Sequence, residues 1–334
     1  MEKTVSRTPL RISFVGGGTD IADFYRRYGG EVISTTIDKY ITVEVSQRED
    51  RKIAVWTEEA KAEPGLAPSL VPSLDELQHP LIRETMRKTG VESGVSIEIT
   101  SDISARGTGL GSSSALTVGL LNALYAYQGE RWNAEKLARD ACEVEINILG
   151  NPIGKQDQYA SAYGGLRRFW FEPDDSVIVE SLPQKGVGNN DRCSLLEKHL
   201  MLFDTGIQRS ANTILSEQKR DASPTSLLKI RELVPRFCNA LMHKDFDKVG
   251  QLLHENWRLK RGLAGSISND QLDTTYRLAL DAGALGGKVL GAGGGGYFLF
   301  YVPEAQQSTV ISALDGLASH TPFRFEPYGS RLED

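Results

Sequence analysis

The pattern of apolar and polar positions predicts a chain of mixed strands and helices. Strands are predicted at the runs Thr8–Val15 and Val95–Ile99, and the stretch Glu31–Gln47 is predicted to contain two strands. Two other segments, Leu116–Tyr127 and Ala134–Leu149, have the apolar content and spacing of helices. These elements do not alternate regularly along the chain, as they would in a doubly wound parallel sheet. We therefore expect a mixed α and β fold of another kind.

The second half of the chain is predicted to be mainly helical. Strands are expected at Leu200–Asp204, Tyr297–Val302 and Phe323–Pro327. Helices are expected at Ala211–Arg220, Pro224–Met242, Phe246–Arg261, Gln271–Ala284 and Ala305–Ala318. A turn-rich stretch, Gly186–Asp191, precedes this half, and a length of 334 residues suits two domains. We expect the domains to span residues 1–190 and 191–334.

Composition and charge argue against several classes of protein. The formal net charge of −6 gives no electrostatic support for binding nucleic acid. The chain has no apolar run long enough to cross a membrane, and its first residues lack the apolar region of a signal peptide. The three cysteines form no Cys-x-x-Cys pair, which argues against a disulfide framework or a zinc site. We expect a cytoplasmic protein with no nucleic-acid or membrane partner.

A loop rich in glycine and serine, Ser104–Ala115, stands between a predicted strand and a predicted helix. Gly107, Gly109 and Gly111 let the main chain approach a ligand without a Cβ atom in the way. Backbone N–H groups at a helix start favour negative charge, and the hydroxyls of Ser112–Ser114 suit a phosphate or a magnesium ion. The loop therefore predicts a polyphosphate site. The alternative is a flexible linker between two elements.

Of two common phosphate-binding signatures, one is missing and the other stands before the wrong kind of element. The Gly-Lys pairs that begin at Gly154 and Gly287 lack the Ser or Thr that must follow in a P-loop. The segment Gly291–Gly296 formally matches the dinucleotide-binding fingerprint, which should open a helix. Here the strand-like run Tyr297–Val302 follows it. A Rossmann-type nucleotide site is therefore not favoured.

Glu145 and Asp157 are the two candidate functional carboxylates. Glu145 lies beside the apolar stripe of the helix predicted over Ala134–Leu149. A buried carboxylate needs a cation or hydrogen bonds, which a magnesium ion near the serine loop or an arginine at the domain edge would supply. Asp157 follows the Gly-Asn-Pro sequence that ends this helix. It is either the cap of the next short helix or a base or orienting carboxylate.

The first strand ends in three glycines followed by Thr19 and Asp20. These two residues are predicted to cap a short helix, Ile21–Tyr28. The functional alternative is that Arg11, Thr19 and Asp20 line the floor of a pocket.

Three motifs in a fixed order carry a resemblance to a known family. They are Thr8–Asp20, Gly107–Ala115 and Lys288–Gly296. Together they resemble the GHMP kinase superfamily, which includes galactokinase and the homoserine, mevalonate and phosphomevalonate kinases, and the resemblance covers nearly the whole chain. It implies an α+β fold of two domains with the active site in the cleft between them. It also implies ATP-dependent phosphorylation of a small hydroxyl compound with Mg²⁺.

The resemblance implies roles for individual residues. Ser113 and Glu145 match the family's magnesium ligands. Asp157 matches the aspartate that orients or deprotonates the substrate hydroxyl, and Arg11 matches the basic residue beside it. The ATP-binding residues that the resemblance implies are Arg106, Gly107, Thr108, Gly109, Leu110, Gly111, Ser112, Ser113 and Ser114.

The first motif and the segment that ends in Gly-Lys-Gln-Asp157 resemble the D-glycero-D-manno-heptose 7-phosphate kinases, and more distantly the kinase part of bacterial fucokinase. This resemblance implies transfer of phosphate to the anomeric hydroxyl of a sugar phosphate, in a monomer or homodimer, as a step towards GDP-heptose and surface polysaccharides. A phosphorylated substrate needs a second basic site. The candidates are Arg7, Arg26, Arg106, Lys155 and Arg209, of which Lys155 and Arg209 are preferred. The substrate-binding residues expected are Gly17, Gly18, Thr19, Asp20, Lys155, Arg209, Gly293 and Gly294.

Three other functions stay open at this point. The first is the same kinase chemistry on another sugar, such as fucose or a hexose. The second is a ligand-binding regulator on a degenerate kinase scaffold, which would not need a transfer aspartate such as Asp157. The third is a dinucleotide-dependent oxidoreductase, which rests on Gly291–Gly296 alone.

Overall fold

A computed structural model of the chain describes residues 3–57, 69–103, 107–182, 192–208 and 211–333. The strands are β1 (Lys3–Val15), β2 (Gly30–Gln47), β3 (Ile53–Trp56), β4 (Ser69–Val71), β5 (Val95–Ser101), β6 (Arg167–Phe171), β7 (Val177–Ser181), β8 (Leu200–Asp204), β9 (Gly286–Val289), β10 (Tyr297–Tyr301), β11 (Ser319–Thr321), β12 (Phe325–Glu326) and β13 (Arg331–Glu333).

The helices lie between and against these strands. They are α1 (Ala22–Tyr28), α2 (Pro80–Thr89), α3 (Ser112–Tyr127), α4 (Ala134–Cys142), α5 (Gln156–Tyr163), α6 (Arg192–Glu197), α7 (Ala211–Asp221), α8 (Pro224–Met242), α9 (Phe246–Arg261), α10 (Asp270–Asp281) and α11 (Gln307–Ala313). Short 3₁₀ turns occur at Leu74–Glu76, Gly265–Ile267 and Glu304–Gln306, and a π-helix at Glu143–Ile148 follows α4 directly. None of the helices in the described ranges is long and apolar enough to cross a membrane.

The strands form two separate sheets. The first runs in the order β13-β1-β2-β5-β3-β4, with β12 and β6 also paired to β2 and with β7 paired to β6. The second runs in the order β11-β8-β10-β9, and all of its pairs are antiparallel. Only the β3–β5 pair is parallel among the described strands. The predicted α+β class is confirmed.

The end of the chain returns to the first sheet. Strand β13 pairs with β1, and β12 pairs with β2. The prediction assigned these residues to a second domain over 191–334, but their pairing places them with the first sheet. The strand predicted at Phe323–Pro327 contains β12, but a local pattern does not show which strand it pairs with. The proposed boundary between residues 190 and 191 lies outside the described residues.

The first sheet packs against α3, and this packing positions the glycine loop. Every residue of α3 from Thr117 to Tyr125 is buried, and Gly119 among them lies against β1. A Cβ atom at Gly119 would lie 2.9 Å from Thr8 Oγ1, so only glycine lets the helix lie this close to the strand. Because α3 is seated on β1, the loop that opens the helix stands over the same strand.

Irregular pairing marks the part of β1 that reaches the cleft. The register between β1 and β2 shifts between Pro9 and Leu10 and again between Ser13 and Val15. Such bulges change the direction in which nearby side chains point and are common beside active sites. Arg11 lies between the two shifts.

Candidate active site

The predicted phosphate loop is a turn whose glycines all have positive φ. Gly107, Gly109 and Gly111 have φ angles of 69°, 77° and 77°, and Gly111 is the N-cap of α3. A Cβ atom at Gly109 would collide with the Leu290 carbonyl, so the loop lies directly on the third motif. Ser112 is the first residue of the 16-residue helix α3. The loop therefore presents a helix start to a cleft of about 450 Å³.

Arg11 and Asp157 form a bidentate ion pair beneath this loop. Arg11 Nε donates to Asp157 Oδ1 at 2.7 Å and Arg11 Nη2 donates to Asp157 Oδ2 at 2.6 Å. The remaining terminal nitrogen, Nη1, donates to the Gly109 carbonyl at 2.5 Å. Arg11 is 2% exposed, whereas the Asp157 side chain is 25% exposed and lines the cleft. A buried guanidinium thus fixes an accessible carboxylate in one orientation.

Glu145 is buried on the π-helix and lines the same cleft. Its Oε1 accepts a bond of 3.0 Å from Gln158 Nε2, and its Oε2 accepts one of 3.3 Å from Ser114 Oγ. Burial raises the pKa of Glu145 to about 7, although these two hydrogen bonds act in the opposite direction. The described residues supply Glu145 with no arginine or lysine partner within ion-pair distance. The alternative interpretation, a pair with an arginine, therefore finds no support there.

The prediction that Thr19 and Asp20 cap α1 is wrong. The N-cap of α1 is Ile21, and no side chain caps the helix. Instead, Asp20 Oδ1 accepts from the Gly18 amide at 2.9 Å and Asp20 Oδ2 accepts from the Gln156 amide at 3.2 Å. Burial and the nearby charge of Asp157 raise the pKa of Asp20. Asp20 therefore ties the first motif to the start of α5 and lines the cleft.

The cleft includes some of the predicted substrate-binding residues and not others. Gly17, Gly18 and Asp20 line it. The Thr19 hydroxyl is buried and donates to the carbonyls of Gly16 and Glu31, so this residue holds the turn together. Gly293 and Gly294 are not among the lining residues, and Gly294 donates its amide to the Ile267 carbonyl. Their neighbours in the third motif, Gly291 and Ala292, line the cleft instead.

Lys155 was expected to reach the substrate, but its side chain lies outside the catalytic cleft. It is the N-cap of α5, and its Nζ donates to the Asp175 carbonyl at 2.9 Å. The ammonium group lies 4.7 Å from the centre of the Tyr25 ring. It lines a different cavity, behind the wall of the cleft. Arg106 and Arg209, two other predicted basic residues, lie outside the described residues.

Two lysines that the sequence pattern did not single out as site residues line the cleft. Lys260, near the end of α9, donates to the Gly291 carbonyl, and Lys288, in β9, donates to the Phe14 carbonyl at 3.1 Å. Lys288 is 1% exposed, and burial together with the charges of Lys260 and Arg11 lowers its pKa well below the usual value. Only Lys288 offered a signal in the sequence, because it opens the third motif.

Comparison with known proteins identifies the family. The model for the GHMP kinases N-terminal domain matches residues 78–165, and the model for the GHMP kinases C-terminal domain matches residues 238–318. A D-glycero-α-D-manno-heptose 7-phosphate kinase of Campylobacter jejuni is 33% identical over 321 residues, which is 93% of each chain. The chain belongs to the GHMP kinase family. It is an ATP-dependent phosphotransferase.

Solved structures agree with this assignment. A D-glycero-D-manno-heptose 1-phosphate kinase from Bacteroides thetaiotaomicron superimposes with a TM-score of 0.80 and 26% identity over 99% of each chain. A putative sugar kinase from Campylobacter jejuni superimposes with a TM-score of 0.77 and 29% identity over 100% of this chain and 98% of that one. The Campylobacter heptose 7-phosphate kinase and these two structures, at 26–33% identity, place the chain among the sugar kinases of the GHMP family.

The residues of the cleft fit ATP and a magnesium ion. The glycine loop lines the cleft and leads into the start of α3, so backbone N–H groups there are available to phosphate oxygens. The carboxylate of Glu145 and the exposed hydroxyl of Ser113 are hard oxygen donors of the kind that Mg²⁺ prefers. No group of three or more His, Cys, Asp or Glu side chains able to hold a metal occurs in the described residues. A magnesium ion shared between one carboxylate, hydroxyls and phosphate oxygens suits this donor set.

Replacing Gly109 by alanine in this kinase is expected to weaken ATP binding at least about tenfold. The new methyl group would meet the Leu290 carbonyl, so the loop must move away from the third motif. Gly129→Ala is the matched control, because Gly129 also has positive φ, 83°, but nothing lies within 4 Å of its Cβ position. The control should lose only about 1–2 kcal/mol of stability from its backbone conformation. Equal ATP affinity of the two variants, measured by calorimetry, would show that the contact with Leu290 is unimportant.

The metal-free kinase is expected to lose stability as the pH rises from about 5 to 8. The folded protein binds the proton of Glu145 more tightly than the unfolded chain, because its pKa is raised to about 7. The contribution of this group is therefore present at low pH and is lost as the pH rises through the folded-state pKa. The measurement is the difference in free energy of unfolding between the parent and Glu145→Gln across this range. A difference that does not change with pH would contradict the placement of Glu145.

Proposed function

We propose that this GHMP kinase transfers the γ-phosphoryl group of ATP to the anomeric hydroxyl of D-glycero-D-manno-heptose 7-phosphate. The observation that carries the proposal is the Arg11–Asp157 pair, which faces the cleft between the glycine loop and Asp20. The product would be the 1,7-bisphosphate, which feeds synthesis of a nucleotide-activated heptose. The relatives named for heptose phosphates span 93% and 99% of this chain and support a heptose phosphate as the substrate. The Campylobacter relative is the one named for the 7-phosphate.

Asp157, held by Arg11, can take the proton of the sugar hydroxyl directly. Asp157 accepts the hydroxyl proton while the sugar oxygen forms a bond to the γ-phosphorus and the bond from that phosphorus to the bridging oxygen breaks. Arg11 stays protonated throughout and holds the carboxylate in place through two hydrogen bonds. Asp20, fixed by two backbone amides, is placed to accept hydrogen bonds from sugar hydroxyls. The protein residues thus orient the acceptor and take up its proton.

Magnesium would be held by Glu145 and Ser113 together with oxygens of the nucleotide. When bound, it would neutralise charge on the phosphates and align them. Burial of Glu145 without a cationic partner supports this assignment, because a bound cation would offset the cost of its charge.

The basic residues divide between nucleotide and sugar. Lys260 and Lys288 lie where the third motif meets the glycine loop, since Lys260 bonds to Gly291 and Leu290 touches Gly109. We assign both lysines to phosphates of the nucleotide. Lys155 faces another cavity, so Arg209 is the residue that we still propose for the 7-phosphate of the sugar.

A coupled ADP-release assay with magnesium and ATP tests the substrate. The panel contains heptose 7-phosphate, heptose 1-phosphate, mannose, mannose 6-phosphate, fucose, galactose and mevalonate. We expect kcat/KM for heptose 7-phosphate to exceed that for every other compound by at least about a hundredfold. A preference for an unphosphorylated hexose or fucose would contradict the proposed sugar and would remove the need for a second phosphate site. No turnover with any compound, although ATP binds, would favour the regulator instead.

A further inference from the structure

A second cavity, of about 520 Å³, lies behind the wall of the catalytic cleft and shares none of its lining residues. Its lining includes five cationic side chains from four parts of the fold: Arg26, Lys88, Lys136, Arg139 and Lys155. Three carboxylates, Asp140, Glu143 and Asp175, line it as well. The cavity therefore has an excess of two positive charges, in a protein whose net charge is −6.

The cations of this basic cavity fall into two groups. Within each group, two cations share one carboxylate. On one side, Arg26 Nη2 lies 3.0 Å from Asp175 Oδ2 and Lys155 Nζ lies 3.4 Å from Asp175 Oδ1. A single carboxylate thus faces two cations. Such an arrangement leaves positive charge for an added anion.

The other group is built around α2 and α4. Lys88 Nζ lies 2.6 Å from Glu143 Oε2 and 3.6 Å from Asp140 Oδ1, and Lys136 Nζ lies 2.6 Å from Asp140 Oδ2. Arg139 is exposed and has no ion-pair partner within the described ranges. Its guanidinium is therefore available to a ligand at the rim of the cavity. The cavity offers one cationic group to each end of a ligand that carries two negative centres.

The wall between the two cavities is the π-helix Glu143–Ile148. Glu143, Ile146 and Asn147 line the basic cavity, whereas Glu145 lines the catalytic cleft. A ligand in the basic cavity would therefore contact one face of the π-helix, while Glu145, the residue proposed to bind the metal, lies on the opposite face. π-Helices are rare and occur frequently at functional sites.

We propose that the basic cavity binds an anion with two phosphoryl groups, against the face of the π-helix opposite to Glu145. The shared chemistry is a diphosphate or a pair of phosphates, which a sugar bisphosphate and a nucleoside diphosphate both supply. Surface cations alone bind such anions weakly, but two clusters that line one concave space hold both ends together. The site does not depend on which sugar the kinase phosphorylates.

Binding of ³²P-labelled pyrophosphate to the full chain, by equilibrium dialysis in metal-free buffer, tests the proposal. The test variant is Arg26→Gln/Arg139→Gln, which removes one cation from each group. The matched control is Arg27→Gln/Arg131→Gln, because both of these arginines are exposed, lie near the first pair in the sequence and do not line the cavity. All three proteins keep the catalytic cleft, so binding there is common to them.

We expect the test variant to lose one equivalent of bound pyrophosphate, or to bind it at least about tenfold more weakly, while the control matches the parent. Pyrophosphate should also slow hydrogen exchange across Glu143–Ile148 in the parent and the control, and not in the test variant. Equal binding by all three proteins, an equal loss in both variants, or no saturable binding would overturn the proposal. If the expected result is found, displacement of pyrophosphate from the parent by fructose 1,6-bisphosphate or by guanosine diphosphate tells the two ligand sources apart.

One further result separates this site from the sugar site. The KM for the sugar phosphate that the kinase uses should be the same in the test variant and in the control. A rise in that KM confined to the test variant would overturn a separate site, since it would make the cavity the far end of the substrate site. Failure of the heptose assignment leaves the pyrophosphate measurement unaffected.

Discussion

Replacing Asp157 by asparagine is expected to lower kcat by about 10²–10⁴-fold while ATP still binds. Asparagine keeps the size of the side chain and one acceptor for Arg11, but it cannot accept the proton of the sugar hydroxyl. The carboxylate is also the group that faces the cleft, whereas Arg11 is buried behind it. The measurement is steady-state ADP release, with ATP affinity measured separately by calorimetry.

Two controls make this result specific. Asp281→Asn replaces an exposed aspartate at the end of α10 and should leave kcat unchanged. The melting temperature of Asp157→Asn reports the cost of leaving Arg11 with a neutral partner, which is separate from the loss of rate. If Asp157→Asn keeps kcat within a few-fold of the parent, Asp157 does not take up the proton.

Replacing Glu145 by glutamine is expected to raise the magnesium concentration at half-maximal activity about 10–100-fold. The amide keeps the shape of the side chain but loses the negative charge that would bind the metal. Glu143→Gln is the control, because Glu143 lies on the same π-helix and faces the basic cavity. The measurement is a magnesium titration of kinase activity at saturating ATP.

The same variant has a second expected effect that needs no metal. Above pH 7, Glu145→Gln should be more stable than the metal-free parent, because it removes a buried negative charge that lacks a cationic partner. An unchanged magnesium titration would remove Glu145 from the metal site. An unchanged stability at high pH would show instead that the parent carboxylate is already neutralised by some other group.

Local sequence pattern was sufficient for much of the fold. The bounds of β8, α8 and α9 agree with those predicted, because β8 is a short apolar run and the two helices have a clear apolar period. Asn133 caps α4, with its Oδ1 accepting from the Lys136 amide at 2.9 Å, and asparagine is a residue that commonly begins a helix. Strand β9 was missed, because a run that contains two glycines has low strand propensity and is held in place by pairing with β10.

The direction of long side chains could not be predicted in the same way. The sequence placed Lys155 next to the catalytic segment, but its direction depends on Asp175 and Tyr25, which come from other elements. Lys260 reaches the cleft only because α9 packs against β9 and brings its end to Gly291. Such arrangements depend on tertiary contacts, which no local period encodes.

The glycine loop and the pair Arg11–Asp157 show the opposite case. The loop's three glycines adopt the left-handed conformations that only glycine adopts readily, so its sequence already indicated its shape. Arg11 and Asp157 are 146 residues apart, and their proximity was implied by family resemblance rather than by any local pattern. The structure places them in direct contact, and their catalytic roles remain the proposal that the kinetic variants test.

The central claim is that the kinase phosphorylates the anomeric oxygen of a heptose that already bears a phosphate. Its most direct test is ³¹P and ¹H NMR of the product formed from ATP and heptose 7-phosphate. We predict a second phosphorus signal that is coupled to the anomeric proton, with the original 7-phosphate signal retained. A new phosphate coupled to any other proton, or no new phosphate ester from this sugar, would contradict the claim.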